Sequence, residues 1–258
     1  PAHGALSPPM RGRDQLMQGD WEVRCPQCNE TMTPDKTPET AGIHGETIYA
    51  TSKLAEERLT IGLGRLLDIP TVALRYAVTY GPRQSIYNPY TGVVSIFSTR
   101  LLNDKAPVIY EDGSQTRDFL FVEDNARANL FVMEHPDTAW QVYNVATQQP
   151  VRILDLVNTL AKIYGKDIPA ELPGSFRPGD VRHFVHNAEK LFALGWLQVA
   201  ADGPAQSEAH GLFARVVQRR QLLRLVRAVG VHLDQDLVVA PEPPGEPGQV
   251  GRAEPPLP

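Results

Sequence analysis

Residues 46–81 spell out a helix that runs into a buried strand through a short connection, and this constrains the fold more than any other stretch. Tyr49, Leu54, Leu59, Leu63, Leu66 and Leu67 recur at mixed steps of three and four residues, the spacing of a helix face. Pro70 ends the connection. The run TVALRYAVTY over 71–80 is rich in β-branched and aromatic residues and reads as a buried strand, closed by Gly81 and Pro82. A helix leading directly into such a strand is half of a parallel α/β unit. The later pattern repeats the alternation. Helices are predicted at 93–103, 122–133, 153–164 and 188–194, and short strands at 108–110, 119–122 and 142–145. The helix at 153–164 has the clearest face, with Ile153, Leu156, Val157, Leu160, Ile163 and Tyr164 on one side and Gly165 as its stop. Turns fall at Glu111–Ser114 and Arg177–Asp180. The fold class is therefore α/β.

Composition narrows the partners. A chain of 258 residues that is 42% hydrophobic and 21% charged has ample material for a core. A net charge of −5 and a pI near 5.8 argue against nucleic acid or a membrane surface as the main partner. No apolar run approaches the ~20 residues of a transmembrane helix, and no signal peptide opens the sequence, so a cytoplasmic location is expected. Two cysteines argue against a disulfide framework.

Those two cysteines lie in a proline-rich, irregular segment, residues 1–45. Cys25 and Cys28 form a C-P-Q-C, a spacing that grips one side of a tetrahedral zinc, with His3 as a third candidate ligand and no evident fourth. A redox C-x-x-C would need a strand-to-helix setting, whereas Pro26 and Pro34 bracket a loop. A zinc knuckle and two loop cysteines without metal both remain open. At the other end, residues 197–239 suggest a divergent helical tail carrying Arg215, Arg219, Arg220, Arg224 and Arg227, and 240–258 a proline-rich disordered one.

Chemistry concentrates in YATSK, from Tyr49 to Lys53. Residues four apart share a helix face, with Cβ atoms roughly 5–6 Å apart. An ammonium that close favours the phenolate and lowers a Tyr pKa that is ~10 in a free peptide. Such a tyrosine can exchange a proton with a substrate hydroxyl near neutral pH. Taken alone, the pair equally describes a half-buried Tyr beside a snorkelling Lys.

Four motifs in order lift it above that reading: YATSK at 49–53, LRYAVTYGPRQ at 74–84, DGSQTRDF at 112–119 and RPGDVR at 177–182. With them, residues 46–196 resemble the C-terminal half of an extended short-chain dehydrogenase/reductase, the NAD-dependent nucleotide-sugar epimerase/dehydratase family. NPYTG at 88–92 and the C-P-x-C insert resemble the subgroup of dTDP-L-rhamnose 4-epimerases. The resemblance implies an incomplete Rossmann-type, doubly wound domain with a small α/β substrate lobe. It makes Tyr49 the acid/base and gives Lys53 the nicotinamide ribose, so both bind NAD. Arg117 and Arg177 would pair with the substrate diphosphate, a task suited to the planar guanidinium fork, and Asp180 would lie near the nucleotide ribose. The implied activity is an NAD-dependent 4-epimerase acting on a nucleotide-diphosphate sugar, homodimeric when intact. A 4,6-dehydratase or decarboxylase of the same family, or a non-catalytic nucleotide-sugar-binding module, is the alternative.

Departures from the family pattern matter too. No strand, glycine-rich turn and helix for a dinucleotide pyrophosphate opens the chain, and Gly62 and Gly64 sit mid-helix without a third glycine. The Ser or Thr expected upstream of the tyrosine to orient the sugar hydroxyl is absent, and Val78 stands where the family often has Asn. The chain is expected to be a fragment, weak or inactive by itself.

Overall fold

The computed structural model describes residue 4 and residues 6–42, 47–85 and 92–198. His3, part of the NPYTG motif and the tail from 199 onward lie outside the described residues. The N-terminal segment carries one short helix, α1 (Arg13–Met17), and isolated bridges pairing Arg24 with Thr31 and Thr37 with His186. Then come α2 (Ile48–Leu66), β1 (Val72–Tyr76), β2 (Val78–Tyr80), α3 (Val93–Leu102), β3 (Thr116–Arg117), β4 (Phe119–Phe121) and α4 (Val122–Glu134). The series closes with β5 (Gln141–Val145), β6 (Val151–Arg152), α5 (Ile153–Tyr164), β7 (His183–Phe184) and α6 (Glu189–Phe192).

The strand predicted over 71–80 is real but changes partner midway. Its first half, β1, pairs in parallel with β5, from Val72 opposite Gln141 to Tyr76 opposite Val145. Its second half, β2, pairs in parallel with β4. Ala77 makes the transfer: its N–H donates to the Val145 carbonyl at 2.9 Å, and the next N–H, from Val78, donates to the Asp118 carbonyl at 2.9 Å. Parallel pairing follows from the connections, because α4 lies between β4 and β5 and a parallel return needs a crossover.

Helices cover both faces, as a parallel sheet requires. Phe119 and Leu120, adjacent on β4, point to opposite sides and enter different cores. Phe119 joins Tyr80, Phe97, Leu101, Leu156 and Leu160, which brings in α3 and α5. Leu120 joins Ala128, Val132, Tyr143, Val145, Leu191 and Trp196, which brings in α4 and α6. This is the doubly wound α/β arrangement. The helix at 153–164 has the bounds its apolar face predicts, and Gly165 caps it in the left-handed region at φ 64°.

Two expectations need correction. Residues 108–110 form no strand: Val108 makes a single bridge to Glu171. The apolar face of α2 is not buried among the described residues. Leu59, Leu63 and Leu66 are exposed, and the buried residue of α2 is Gly64. The helix meets β1 through that glycine, against Thr71, and through a two-pronged ion pair from Arg75 to Glu57 at 2.7 and 2.8 Å. A further small sheet, β6–β3–β7, separate from the β1–β5 and β2–β4 pairs, was not foreseen; strands of two residues are too short to show alternation.

Candidate functional site

The site grows from the N-terminus of α2. Thr47 caps the helix by accepting the Ala50 N–H at 3.1 Å, which sets the first turn containing Tyr49. Tyr49 is 73% exposed, and Lys53 follows one turn later. Here the Lys53 ammonium bonds the Glu56 carboxylate at 2.6 Å, a contact that raises its pKa ahead of the smaller contribution from Tyr49.

Thr47 also joins α2 to the RPGDVR motif. A Cβ on Gly179 would lie 3.2 Å from Thr47 Cγ2, and Gly179 sits at φ 80°, which a side chain rarely adopts. The tight turn at Gly179, closed by Asp180 N–H donating to the Arg177 carbonyl at 3.2 Å, therefore rests directly on the start of α2. Arg177 is exposed, with its guanidinium 5.0 Å from the centre of the Tyr110 ring.

Arg117 lies deeper. Its Nη1 donates to the carbonyls of Thr116 at 2.9 Å and Arg182 at 3.0 Å, and its Nη2 to the Val181 carbonyl at 2.5 Å and Asp180 Oδ1 at 3.2 Å. Four of its five donors are thus engaged, three of them holding residues 180–182 and one its own neighbour Thr116, leaving Nε. Burial pulls the Arg117 pKa down, opposed by the charges of Asp180 and Glu111. Arg117, Arg177 and Asp180 therefore lie together, but two arginines expected to act alike differ. One presents an open fork, and the other is largely committed to its own chain.

Sequence reasoning missed the ionic cluster underneath. Arg182, 1% exposed, bonds Glu22, Glu111 and Asp112 at 2.7–3.0 Å. Arg11, also buried, bonds Glu111 at 2.7 Å and the Asp180 carbonyl at 2.9 Å. His183 completes it, with Nε2 3.1 Å from Glu22 and Nδ1 2.9 Å from Thr116 Oγ1. Burial pushes the Glu22 and Asp112 carboxyls up, but hydrogen bonding and charge from Arg182 outweigh it and hold both below the ordinary range. The signal available in the sequence was the second arginine of RPGDVR.

Cys25 and Cys28 form a tight turn: Cys25 N–H donates to the Glu30 carbonyl at 2.8 Å and Asn29 N–H to the Cys25 carbonyl at 2.9 Å. Cys25 is buried and Cys28 exposed. Among the described residues no group of three His, Cys, Asp or Glu side chains is placed to hold a metal. No helix among them is long and apolar enough to cross a membrane. A groove of about 660 Å³ runs along β1, lined by Val72, Leu74, Tyr76 and Val132 among others, and includes none of the motif residues carrying charge.

Residues 26–146 match the family model described as the NAD dependent epimerase/dehydratase family. That stretch of the chain is similar to this family. A dTDP-L-rhamnose 4-epimerase from Burkholderia thailandensis is 34% identical over 190 residues, covering 73% of this chain and 51% of that protein. A putative UDP-glucose 4-epimerase from Methanocaldococcus jannaschii is 32% identical over 148 residues, covering 57% and 47%. Among solved structures, the UDP-glucose 4-epimerase of Thermotoga maritima with UDP-glucose superposes with a TM-score of 0.63 at 33% identity, covering 75% of this chain and 60% of that one. The family fold is a Rossmann-type α/β fold. The chain spans about half the length of the curated relatives it matches.

Proposed function

We propose that this chain carries the catalytic tyrosine and the nucleotide-sugar lobe of an NAD-dependent nucleotide-sugar 4-epimerase. One observation carries the reading. The cap of the Tyr49 helix rests on Gly179, inside the turn that holds Arg177 and Asp180, so the acid/base helix and the anion-binding turn are one assembly. The relatives that are 4-epimerases support the choice of reaction.

In this reading Tyr49 takes the proton of the sugar C4 hydroxyl and later returns one. Lys53 leaves Glu56 to approach the phenolate and the cofactor ribose; both residues stand on the exposed first turns of α2, which suits that end of a dinucleotide. NAD, when bound, supplies the acceptor and donor for the hydride of C4. The described residues include no glycine-rich strand–turn–helix, so its pyrophosphate end needs groups beyond them. Arg177 holds the diphosphate through its open fork, with Arg117 adding charge and its Nε, and Asp180 lies beside the nucleotide ribose. Zinc at Cys25 and Cys28 would need ligands beyond the described residues. A cytoplasmic location, and homodimerisation of the intact enzyme, belong to the same reading.

The test is Tyr49→Phe in a version of the protein that turns over. Loss of about 10²–10⁴-fold in kcat, with nucleotide-sugar affinity retained, is expected. Turnover equal to wild type would make Tyr49 a structural residue.

A further inference from the structure

Between the N-terminal segment and the substrate lobe, one contact has no counterpart in the chemistry assigned above. Arg11 comes from a stretch with little secondary structure, yet its side chain is 4% exposed. Through Nη2 it bonds both Glu111 Oε1 at 2.7 Å and the Asp180 carbonyl at 2.9 Å. Through Nη1 it bonds the Trp21 carbonyl at 2.8 Å, which fixes its own loop. Glu111 is shared with Arg182, and the Glu111 N–H donates to the Ser175 carbonyl at 2.8 Å. The turn bearing Arg177 and Asp180 is therefore gripped before its start, at Ser175, and at Asp180 itself. Both grips pass through Arg11 or its carboxylate partner. The preceding residue, Met10, places its Sδ 3.9 Å from the Cβ position of Gly179.

We propose that Arg11 is a positioning residue for the anion-binding turn. It holds residues 175–180 so that the Arg177 fork stays open over Tyr110. This rests on the nucleotide-sugar reading above. Arg11 does not touch the ligand; it acts through Glu111 and the Asp180 carbonyl. A guanidinium is needed because a single Nη group must bridge a carboxylate and a carbonyl while the other reaches Trp21, a planar fork that Lys lacks. The Asp180 side chain meanwhile remains bound to Arg117, so one residue is held at both its main-chain and side-chain oxygens.

Two explanations for an effect of Arg11 must be separated: geometry, and the simple field of one more positive charge near a phosphate. The experiment measures binding of thymidine diphosphate and of thymidine to the 258-residue chain by calorimetry. It compares wild type, Arg11→Met, the double variant Arg11→Met/Glu111→Gln, and Arg11→Lys. The double variant removes one charge of each sign and restores the net charge. Tryptophan fluorescence and thermal unfolding report whether each variant remains folded. The expected result is a preference of wild type for the diphosphate that falls about tenfold in Arg11→Met, a change of ~1.4 kcal/mol. The fall should persist in the double variant and be only partly relieved by Lys, with thymidine binding unchanged in all. Recovery in the double variant would reduce Arg11 to a field effect and overturn positioning, as would affinity unchanged in both. Should Arg11→Met fail to fold, the double variant and Arg11→Lys decide alone, by the same comparison. A wild type with no preference for the diphosphate over thymidine defeats the nucleotide reading itself, and the role of Arg11 with it.

Discussion

At the scale of single residues, equal arginines in a motif have unequal tasks, and burial sorts them. Arg177 is exposed and its fork is open, so Arg177→Ala should remove a charge-assisted bond worth ~1.5–3 kcal/mol and weaken nucleotide-diphosphate binding about 10–150-fold, with thermal stability little changed. Calorimetry and a melting curve on the same sample check both halves. Arg182→Met should do the reverse. It removes one of the two partners of the buried Glu111, while Glu22 and Asp112, 35% and 41% exposed, remain partly screened by water. The loss should therefore fall at or below the low end of about 3–5 kcal/mol, read by denaturant unfolding. His186 gives a third case. Burial, with the charge of Arg75 adding to it, pulls its pKa down to about 4, so the folded protein keeps the ring neutral where the unfolded chain protonates it. Its stability contribution is full above the unfolded value near 6.5 and is lost as pH falls toward 4. The loss should reach about 3 kcal/mol across that window, and His186→Phe should flatten the slope. Arg177 and Asp180 were legible in the sequence because the motif is contiguous. The Arg182 cluster was not, because its partners Glu22 and Glu111 stand 160 and 71 residues away and no local pattern announces a distant pairing.

Elements were legible in proportion to their length. The twelve residues of α5 complete three turns, enough for an apolar stripe to declare itself, and Gly165 marks the end. β3, β6 and β7 are two residues each, and Val108, Ile109 and Tyr110 have strand-like chemistry without a ladder. In α2 the leucines imply a buried face, yet the helix touches β1 through Gly64 and the Glu57–Arg75 pair instead. That contact is tight. A Cβ at Gly64 would meet Thr71 Oγ1 at 2.0 Å and Thr71 Cβ at 2.9 Å, so the side chain cannot simply rotate away. Helix propensity would favour Ala by up to ~1 kcal/mol, but overpacking costs about 1–3 kcal/mol. Gly64→Ala should therefore be neutral to destabilising despite lying mid-helix, and Gly64→Ala/Thr71→Ser should recover part of the loss; thermal melts of the two variants decide it.

On the scale of the whole molecule, the fold class and the order of motifs could be read from the alternation of helix and strand, whereas the role of the N-terminal segment could not. Its prolines and polar residues suggest a loose insert. In space it is tied down by Arg11 to Glu111, Glu22 to Arg182, Thr37 to His186, and Glu39 to the Asn144 backbone. Those ties have a consequence in time. They join residues 100 to 169 positions apart, so the segment should reach its partners late, after the rest of the lobe has collapsed. Refolding followed at Trp21, which lies against Phe176, in a variant whose Trp140 and Trp196 are replaced by Phe, should lag the recovery of far-ultraviolet circular dichroism; coincident traces would contradict this order of assembly. During synthesis the interval is longer. At ~5–20 residues per second, Arg11 leaves the ribosome roughly 10–30 s before Asp180 exists for it to bind, and through that interval its charge and the hydrophobic Trp21 behind it wait in water.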